Sequence, residues 1–512
     1  MRTAARVGTA RRSLSSFSRN NVLGKLQTPH PTTPLLRYPA TSPPHHMPIA
    51  SINPYTGRTE RRFRAFSWAK TERLLAQAHR AAAAWRTTTF EHRAGRMRRA
   101  AELLRERQDE LARLMAVEMG KPVTDGRAEA QKCAACCDFY AEHAQAFLAD
   151  ETIQTEAQRS FIAHEPLGVV LAVMPWNFPF WQVVRFAAPA LMAGNVGLLK
   201  HASNVPQCAL ALEQIFHDAG FPPATFRALL VGSDMVEKLV ADDRVRAVTL
   251  TGSEPAGAQV AAAAGRYIKK TVLELGGSDA FVVLADADVA LAAKTAAQAR
   301  MINAGQSCIA AKRFIVEKPV VKEFVALMKE HLQAFRTGDP LDDATQYGPL
   351  ARPDLADELT QQVEDSVRQG AKVALEGGQN RPGTALFRPM ILRNVKPGQR
   401  AYEEELFGPV AVILEARDAD DAIRLANDSR FGLGGSIWTR DEQRGQDLAR
   451  RVDAGAVFVN SMVKSSPEMP FGGVKKSGYG RELSHLGIRE FVNQKSIWVA
   501  KPEKSAEEKK VE

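Results

Sequence analysis

One turn of small and polar residues surrounds a single thiol. Residues 303–308 read Asn-Ala-Gly-Gln-Ser-Cys; an alanine-rich helical pattern over residues 290–301 precedes them and a strand pattern over residues 313–316 follows. A thiolate is a strong nucleophile, and backbone N–H groups of such a turn can point at whatever the sulfur attacks. Cys308 is therefore a candidate for covalent catalysis. Taken alone, a buried structural cysteine is the commoner outcome.

Two other side chains could assist such a nucleophile. Glu274 stands at the end of a strand pattern, directly before Leu275-Gly276-Gly277, where a carboxylate can act as a general base. Asn177 lies in residues 175–179, Pro-Trp-Asn-Phe-Pro, a rigid turn suited to aiming an amide N–H at a developing oxyanion. A solvated strand-end glutamate and a purely structural corner are the alternative interpretations.

A possible phosphate site occurs between a strand pattern and an alanine-rich helix. Residues 251–257 read Thr-Gly-Ser-Glu-Pro-Ala-Gly. Glycine allows a phosphate to approach the backbone closely, and a helix N-terminus offers free N–H groups and positive potential. The segment is neither the Gly-x-Gly-x-x-Gly fingerprint nor a P-loop, which requires Gly-Lys-Ser/Thr. A structural strand-to-helix turn is the alternative.

Alternating strands and helices must position these residues. Strand patterns at residues 169–174, 197–200, 226–231 and 245–251 alternate with helical patterns at residues 181–193, 205–219 and 235–240. This alternation predicts a parallel, doubly wound sheet. Ligands of such sheets bind beyond the carboxyl ends of the strands, where Lys200 and Gly252 are expected.

The flanking segments extend this α/β architecture. Amphipathic helices are predicted over residues 68–85, 90–119 and 125–148, and a second α/β region over about 275–480. A strand at residues 158–164 is expected to pair with a last strand at 496–500, the two coming from different subunits. The expected organisation is a dinucleotide-binding domain of residues 48–149 and 165–273, a catalytic domain of residues 274–480, a small β oligomerisation arm of residues 150–164 and 481–500, and a disordered tail of residues 501–512.

The charge of the chain is concentrated near its beginning. Of the net charge of +10 over 512 residues, eight positive charges lie in residues 1–59, which contain no Asp or Glu; the remainder carries 10 − 8 = +2. A nearly neutral body gives little support to nucleic-acid binding. The arginine-rich, serine-rich, acid-free composition of residues 1–47 is typical of a mitochondrial transit peptide, with a disordered basic tail of a cytoplasmic protein as the alternative. No apolar run is long enough to predict a membrane span.

The cysteines indicate neither a disulfide framework nor a metal site. Five cysteines in so long a chain are too few for a disulfide scaffold. Cys133, Cys136 and Cys137 resemble half of a zinc site, but they lie in a helical pattern without a second ligand pair. We expect them to serve packing, and we expect no metal.

Taken together, the motifs resemble those of the aldehyde dehydrogenase superfamily from about residue 49 to residue 500. The matching segments are residues 175–179, Lys200, residues 252–257, 274–277, 305–308, 405–409 and 470–473, and Ser477-Gly478. Within that superfamily, residues 181–183, 199–202 and 475–485 look like the bacterial NAD-type succinate-semialdehyde dehydrogenase branch. So many segments in the family's order make the resemblance very specific.

The resemblance implies a mechanism. Cys308 would attack the aldehyde carbon, and the Asn177 amide and the Cys308 backbone N–H would hold the oxyanion. Hydride transfer to the nicotinamide would leave a thioester, which water activated by Glu274 would hydrolyse. Lys200 and Glu405 would hold the two riboses. The other residues that the resemblance implies in cofactor binding are Trp176, Ser203, Gly252, Ser253, Gly257, Leu275 and Phe407.

The identity of the cofactor depends on position 203. Many NAD-preferring relatives have a glutamate there, which binds the ribose 2′-OH, whereas this chain has Ser203. Loss of the carboxylate makes NADP admissible, although the branch with Lys-His-Ala at residues 200–202 tends to use NAD. The expected cofactor is NAD, with some use of NADP.

The predicted identity of the substrate rests on one positively charged side chain, Arg185. Arg185, eight residues after Asn177 and about two helical turns along the same face, matches an arginine that binds the distal carboxylate of succinate semialdehyde in this branch. Ser466 and Phe471 are expected to line the same site. A second arginine of some relatives is here Ile302. Glutarate semialdehyde or an uncharged short aldehyde therefore remains an alternative substrate, and pairing with a surface acid an alternative role of Arg185.

Other functions are less well supported by these residues. A coenzyme-A-acylating enzyme is a variant that the water-activating Glu274 argues against. A catalytically silent nucleotide-binding protein is disfavoured because Cys308, Glu274 and Asn177 are all present. A homodimer or homotetramer that oxidises succinate semialdehyde in the mitochondrial matrix is the resulting prediction, with the cytoplasm as the alternative location.

Overall fold

A computed structural model describes residues 49–502 of the chain. The predicted transit peptide at residues 1–47, and all of the predicted disordered tail except residues 501–502, lie outside the described residues.

The helices are α1 (Trp68–Trp85), α2 (Phe90–Glu106), α3 (Gln108–Met119), α4 (Val123–Phe147), α5 (Trp181–Met192), α6 (Pro206–Asp218), α7 (Val236–Ala241), α8 (Glu254–Arg266), α9 (Val289–Met301), α10 (Val321–Gln333), α11 (Pro353–Arg368), α12 (Arg400–Glu403), α13 (Ala419–Asn427), α14 (Glu442–Ala449) and α15 (Ser484–Arg489). The strands are β1 (Ala50–Ile52), β2 (Thr59–Arg62), β3 (Glu151–Thr152), β4 (Arg159–Pro166), β5 (Val169–Met174), β6 (Val196–His201), β7 (Phe226–Ala228), β8 (Val245–Thr251), β9 (Lys270–Glu274), β10 (Ala280–Val283), β11 (Arg313–Glu317), β12 (Lys372–Leu375), β13 (Gly378–Gln379), β14 (Phe387–Arg388), β15 (Met390–Arg393), β16 (Val410–Ala416), β17 (Phe431–Gly432), β18 (Gly434–Trp438), β19 (Ala456–Val459), β20 (Val474–Lys475), β21 (Gly478–Tyr479) and β22 (Val492–Val499).

The first large sheet has the strand order β21-β9-β8-β5-β6-β7. Strands β5 to β9 pair in parallel, and β21 joins antiparallel to β9. Both faces of β5 and β6 are almost wholly buried, which explains why these strands read as continuous apolar runs. The predicted doubly wound parallel sheet is confirmed. The carboxyl ends of its strands bring Lys200, Gly252 and Glu274 to one edge.

A second sheet has the order β12-β15-β16-β11-β10-β18-β19, parallel except for the β12–β15 pair. It has its own apolar core, separate from the core around the first sheet. The turn that carries Cys308 joins α9 to β11. This second α/β region confirms the mixed α/β class.

A small antiparallel sheet has the order β22-β4-β3. Strand β22 pairs with β4 along its whole length, from Val492 opposite Pro166 to Val499 opposite Arg159. The expectation that these two strands pair between subunits is wrong in this structure, because both belong to the same chain. A sequence pattern locates such strands but carries no information on whether their partner lies in the same chain.

Several predicted boundaries shift. The helix predicted over residues 90–119 is divided at Arg107, whose φ of −101° and ψ of 16° end α2 and begin α3. Residues 481–500, predicted as one arm segment, divide into α15, which packs on α4 and α5, and β22. The domain limits themselves stay a prediction. Cys133, Cys136 and Cys137 are buried free thiols of α4, and no group of residues within 49–502 is suited to holding a metal ion.

No helix of the described part of the chain has both the length and the apolar composition needed to cross a bilayer.

Candidate active site

The turn before β11 has an unusual backbone that presents Cys308. Asn303, Ala304 and Gly305 all have positive φ, at 51°, 54° and 78°. A side chain at Gly305 would place its Cβ 2.3 Å from the Gly408 carbonyl carbon, so only glycine fits there. Non-glycine residues in this conformation store strain, which persists where surrounding contacts hold it.

Buried cations hold this turn in place. The Lys312 Nζ donates hydrogen bonds to the carbonyl oxygens of Ser307, Cys308 and Ala310 at 2.9, 2.9 and 3.1 Å. The Arg300 guanidinium donates to the Gly305 carbonyl at 2.7 Å. These bonds satisfy backbone oxygens that the irregular turn cannot pair, and so fix the backbone that carries the thiol.

Asn177 is bonded directly to the Cys308 turn. Its Nδ2 donates to the Gln306 carbonyl at 3.1 Å, and the Asn303 Nδ2 donates to the Asn177 carbonyl at 2.8 Å. One hydrogen of the Asn177 amide is therefore engaged, and the second remains for a ligand. The structure thus brings together two residues 131 positions apart that the sequence assigned to one reaction.

The Glu274 carboxyl is buried at the end of β9. Its position is fixed by register, with Thr251 opposite it on β8 and Gly478 on β21. Neither carboxyl oxygen has a hydrogen-bond partner among residues 49–502. Burial raises the pKa of Glu274 to about 8, against the opposing effect of the Arg185 charge. Such a group releases its proton near neutral pH, as a general base requires.

Cys308 is the one partly exposed cysteine among residues 49–502. Burial of its sulfur raises the pKa of the thiol to about 12, although the nearby Arg185 charge lowers it. The Glu274 carboxyl also lies within electrostatic range and adds to the increase. The thiol is therefore neutral at pH 7 without ligands, and attack requires a base to take its proton.

Arg185 lies on α5 beneath this site. Its guanidinium forms an ion pair with the carboxylate of Glu482, and both side chains are buried. It also stands 4.7 Å from the centre of the Phe471 ring and 3.4 Å from the Thr251 hydroxyl. Arg185 thus pairs with an acid, as the alternative interpretation held, but that acid is buried and does not lie at the surface. Phe471 lies beside Arg185, as expected.

The two serines that precede Phe471 differ in their contacts. The Ser466 hydroxyl donates to the Glu468 carboxylate near the surface. Ser465, by contrast, is buried, and its Oγ accepts hydrogen bonds from Lys132 Nζ at 2.8 Å and Trp181 Nε1 at 3.1 Å. No hydrogen bond among residues 49–502 joins Ser466 to Arg185. The neighbouring Ser465 instead contacts Trp181 of α5, the helix that carries Arg185.

The expected ribose and nicotinamide contacts lie around the same edge. Glu405 Oε1 accepts from the Gly277 N–H at 3.1 Å and pairs with Lys312 at 3.2 Å. The Phe407 ring meets the Trp176 ring edge-on, with centroids 5.8 Å apart. These contacts place the two aromatic residues and Glu405 next to the turn of Cys308.

The residues of the expected phosphate site lie at the N-terminus of α8 and near the ends of β6 and β8. Ser253 is the N-cap of α8, yet its hydroxyl makes no capping hydrogen bond and so stays available. A Cβ at Gly257 would come within 2.5 Å of the Leu275 side chain, which shows how closely α8 approaches the end of β9. Lys200 is buried at the end of β6, and burial lowers its pKa. Ser203 is half-buried just beyond that strand, with Gly252 at the end of β8.

Four residues of the site were not recognised from the sequence: Lys132, Lys312, Ser465 and Glu482. Lys312 stands four residues after Cys308, and that short spacing was the signal that could have identified it. Lys132 and Glu482 lie 350 residues apart in the sequence. No local sequence pattern predicts that residues so far apart meet at one site.

The comparisons with known proteins agree with this geometry. The model of the aldehyde dehydrogenase family matches residues 41–497. A probable succinate-semialdehyde dehydrogenase [NADP(+)] of Synechocystis is 53% identical over 456 residues, which are 89% of this chain and all of that protein. Succinate-semialdehyde dehydrogenase [NADP(+)] 1 of Mycobacterium tuberculosis is 50% identical over 458 residues, again 89% of this chain and all of that protein.

A solved structure shows the same architecture. The crystal structure of succinic semialdehyde dehydrogenase from Streptococcus pyogenes, in complex with NADP+, is 36% identical and superposes with a TM-score of 0.86 over 88% of this chain and 100% of that one. Family model, close relatives and fold therefore lead to one conclusion: this chain belongs to the aldehyde dehydrogenase family.

Proposed function

We propose that this protein oxidises succinate semialdehyde to succinate, with NADP as its preferred electron acceptor. The observation that carries the proposal is one arrangement of side chains. The turn that carries the partly exposed Cys308 thiol is hydrogen-bonded to the Asn177 amide, and Glu274 and Arg185 lie within electrostatic range of the sulfur. Nucleophile, oxyanion donor, base and carboxylate-binding cation are thus all present.

The side chains have the following proposed roles. The Cys308 thiol gives up its proton to solvent water as its sulfur attacks the aldehyde carbon, and the free N–H of Asn177 stabilises the negative oxygen that forms. A nicotinamide cofactor held near Glu405 and Phe407 would supply the hydride acceptor. Ionised Glu274 then removes a proton from water, which attacks the Cys308 thioester, releases the acid and regenerates the thiol.

The proposed substrate carries a second, distal carboxylate. The Arg185 guanidinium lies next to Phe471, and a guanidinium binds a carboxylate through two parallel hydrogen bonds. The names of the Synechocystis and mycobacterial relatives add support, at identities of 53% and 50%.

The proposed cofactor preference is the reverse of that expected from the branch resemblance. Both close relatives are named for NADP, and the Streptococcus structure contains it. Ser203 has no negative charge that would repel a 2′-phosphate. These observations support use of both nicotinamide cofactors with NADP preferred, and we no longer propose NAD as the main one.

The steady-state test compares kcat/KM for succinate semialdehyde with that for butyraldehyde, which lacks the carboxylate, each with NADP and with NAD. A hydrogen-bonded charge contributes about 1.5–3 kcal/mol, so we expect a preference of about 10- to 100-fold for succinate semialdehyde. Equal rates for the two aldehydes would leave a broad short-chain aldehyde dehydrogenase, and a higher rate with glutarate semialdehyde would assign the longer substrate. Cys308→Ser is the inactive control.

Self-association is proposed from the uncovered sheet edges. Strand β22 is the outermost strand of its sheet and β19 of the second sheet, and Trp498 on β22 is 54% exposed. Exposed edges of this length invite pairing with another chain. We propose a homodimer or homotetramer, which light scattering during size-exclusion chromatography would detect.

Import into the mitochondrial matrix is proposed from the composition of residues 1–47. Fusion of these residues to a fluorescent protein tests the proposal. Mitochondrial fluorescence supports it, and diffuse cytoplasmic fluorescence overturns it.

A further inference from the structure

The charge around Arg185 is already compensated. Its guanidinium pairs with Glu482 inside the protein, and the nearby Glu274 has a raised pKa that keeps most of its carboxyl neutral at pH 7. A second anion placed next to Arg185 would therefore meet a group with a net charge of about zero. Tight binding of a substrate with one carboxylate therefore needs a further cation.

Lys132 of α4 is such a cation. Its Nζ lies 2.8 Å from the Ser465 hydroxyl oxygen and 4.2 Å from the centre of the Trp181 ring. No carboxylate of residues 49–502 forms an ion pair with it, and Glu129, one turn earlier on the helix, is bound to Lys121. The Lys132 charge is therefore free to meet an anion.

Lys132, Ser465 and Trp181 contact one another beside the face of α5 that carries Arg185. Trp181 and Arg185 are one helical turn apart, on the same face of α5. The Ser465 oxygen accepts hydrogen bonds from both Lys132 and Trp181, so its own hydrogen is directed to another acceptor. Lys132 also lies within electrostatic range of Arg185.

We propose that Lys132, with the Ser465 hydroxyl that it contacts, supplies a second cation near Arg185 for the distal carboxylate of the substrate. This inference rests on the proposed function and names the residues that select its substrate. It also explains how the chain binds an acidic aldehyde with Ile302 at the position of a second arginine: the cation comes from α4 instead.

The environment of Lys132 supports the proposal. Burial, and next the Arg185 charge, lower the pKa of Lys132 to about 8, while the Glu129 carboxylate acts in the opposite direction. An anion bound at the ammonium would oppose both lowering effects. Binding of the carboxylate should therefore be strong below about pH 8 and weaken above it, as the ammonium loses its proton.

The first experiment measures kcat and KM of Lys132→Met with succinate semialdehyde and with butyraldehyde. We expect KM for succinate semialdehyde to rise about 10- to 100-fold with kcat little changed, since the contact acts away from the reacting carbon. Kinetics with butyraldehyde should be unchanged. The matched control is Lys464→Met, which removes an exposed lysine next to Ser465 and should behave as wild type.

The second experiment uses Lys132→Arg, which keeps the charge at all accessible pH values. In the wild type, the ratio of kcat/KM for succinate semialdehyde to that for butyraldehyde should fall above about pH 8, and the ratio cancels steps common to both aldehydes. In Lys132→Arg the ratio should stay flat to about pH 9.5. A purely structural lysine would not move this profile.

A third measurement does not depend on turnover. Succinate should slow the alkylation of Cys308 by iodoacetamide in the wild type and in Lys464→Met, and about 10-fold higher succinate should be needed in Lys132→Met. The proposal is overturned if Lys132→Met and Lys464→Met behave alike while the wild type still prefers succinate semialdehyde; the proposed function then stands. If the wild type shows no such preference, the proposed function itself fails.

Discussion

Position 203 determines whether a 2′-phosphate meets a negative charge. Ser203 is half-buried just beyond β6, next to the buried Lys200. A glutamate there would accept hydrogen bonds from a ribose 2′-OH and would repel a phosphate at the same place. One side chain thus affects the two cofactors in opposite directions.

We predict that Ser203→Glu lowers kcat/KM with NADP about 10- to 100-fold and leaves or raises kcat/KM with NAD, because only the 2′-phosphate is repelled. Ser203→Gln, of the same size without the charge, is the control and should change the ratio of the two values by less than about 3-fold. Steady-state assays with each cofactor measure the ratio of kcat/KM with NADP to kcat/KM with NAD. An equal loss with NAD and NADP in Ser203→Glu would contradict the charge argument.

Glu274 illustrates a conflict between activity and stability in one residue. Its pKa is raised from 4.5 to about 8 in the folded protein. The folded state therefore holds a proton that the unfolded state has released between these values. The contribution of Glu274 therefore lowers the free energy of unfolding as the pH rises from about 4.5 through about 8.

We predict that Glu274→Gln is more stable than the wild type at pH 7, by on the order of 1–3 kcal/mol, with the difference disappearing near pH 4.5. Urea unfolding at both pH values measures this difference in the free energy of unfolding.

Steady-state turnover of Glu274→Gln should fall by about 10²- to 10⁴-fold, yet one equivalent of reduced cofactor should still form rapidly, because the general base acts only on the thioester. A variant that is less stable than the wild type at pH 7, or that shows no initial burst, would contradict these roles.

At the scale of elements, the turn between α9 and β11 shows how an irregular segment is kept rigid. Its positive φ angles give up regular backbone hydrogen bonds, and Lys312 supplies replacements to three carbonyl groups. The same ammonium pairs with Glu405 of the segment that follows α12. One side chain therefore links the nucleophile to a proposed ribose contact.

We predict that Lys312→Met destabilises the protein by about 3–5 kcal/mol, since it leaves buried carbonyl groups and the Glu405 carboxylate without their partner. KM for the cofactor should rise as Glu405 moves. Lys312→Arg, which restores the charge, should recover part of both properties, and Lys318→Met, which removes an exposed lysine directly after β11, is the control. Thermal unfolding and cofactor titration measure the effects. A melting temperature of Lys312→Met equal to that of the wild type would show that the turn keeps its conformation without the Lys312 hydrogen bonds.

At the scale of the whole molecule, the sequence predicted what is local. Residues 169–174 were assigned as a strand because continuous apolar runs are characteristic of buried parallel strands, and the Cys308 turn was assigned from its small residues. The pairing of β22 within the chain, and the use of Ser465 rather than Ser466 next to Trp181, depend on tertiary contacts. No periodicity encodes such contacts.

Arg185 and Glu482 are the clearest case of such a contact, since α5 and the segment before α15 are joined by one buried ion pair almost 300 residues apart in sequence. Removing one partner of a buried pair leaves an uncompensated charge and costs about 3–5 kcal/mol, whereas removing both is close to neutral. We predict that Arg185→Met is strongly destabilised and that Arg185→Met/Glu482→Gln recovers most of that loss.

Activity should not recover with stability. The double variant lacks the proposed carboxylate-binding cation, so its preference for succinate semialdehyde over butyraldehyde should fall at least about 10-fold although the protein is folded. Urea unfolding and the ratio of kcat/KM for the two aldehydes, measured on both variants and on Glu482→Gln alone, separate the two effects. A stable double variant that kept the full preference would show that Arg185 only holds the fold, and would leave recognition of the carboxylate to Lys132 and Ser465.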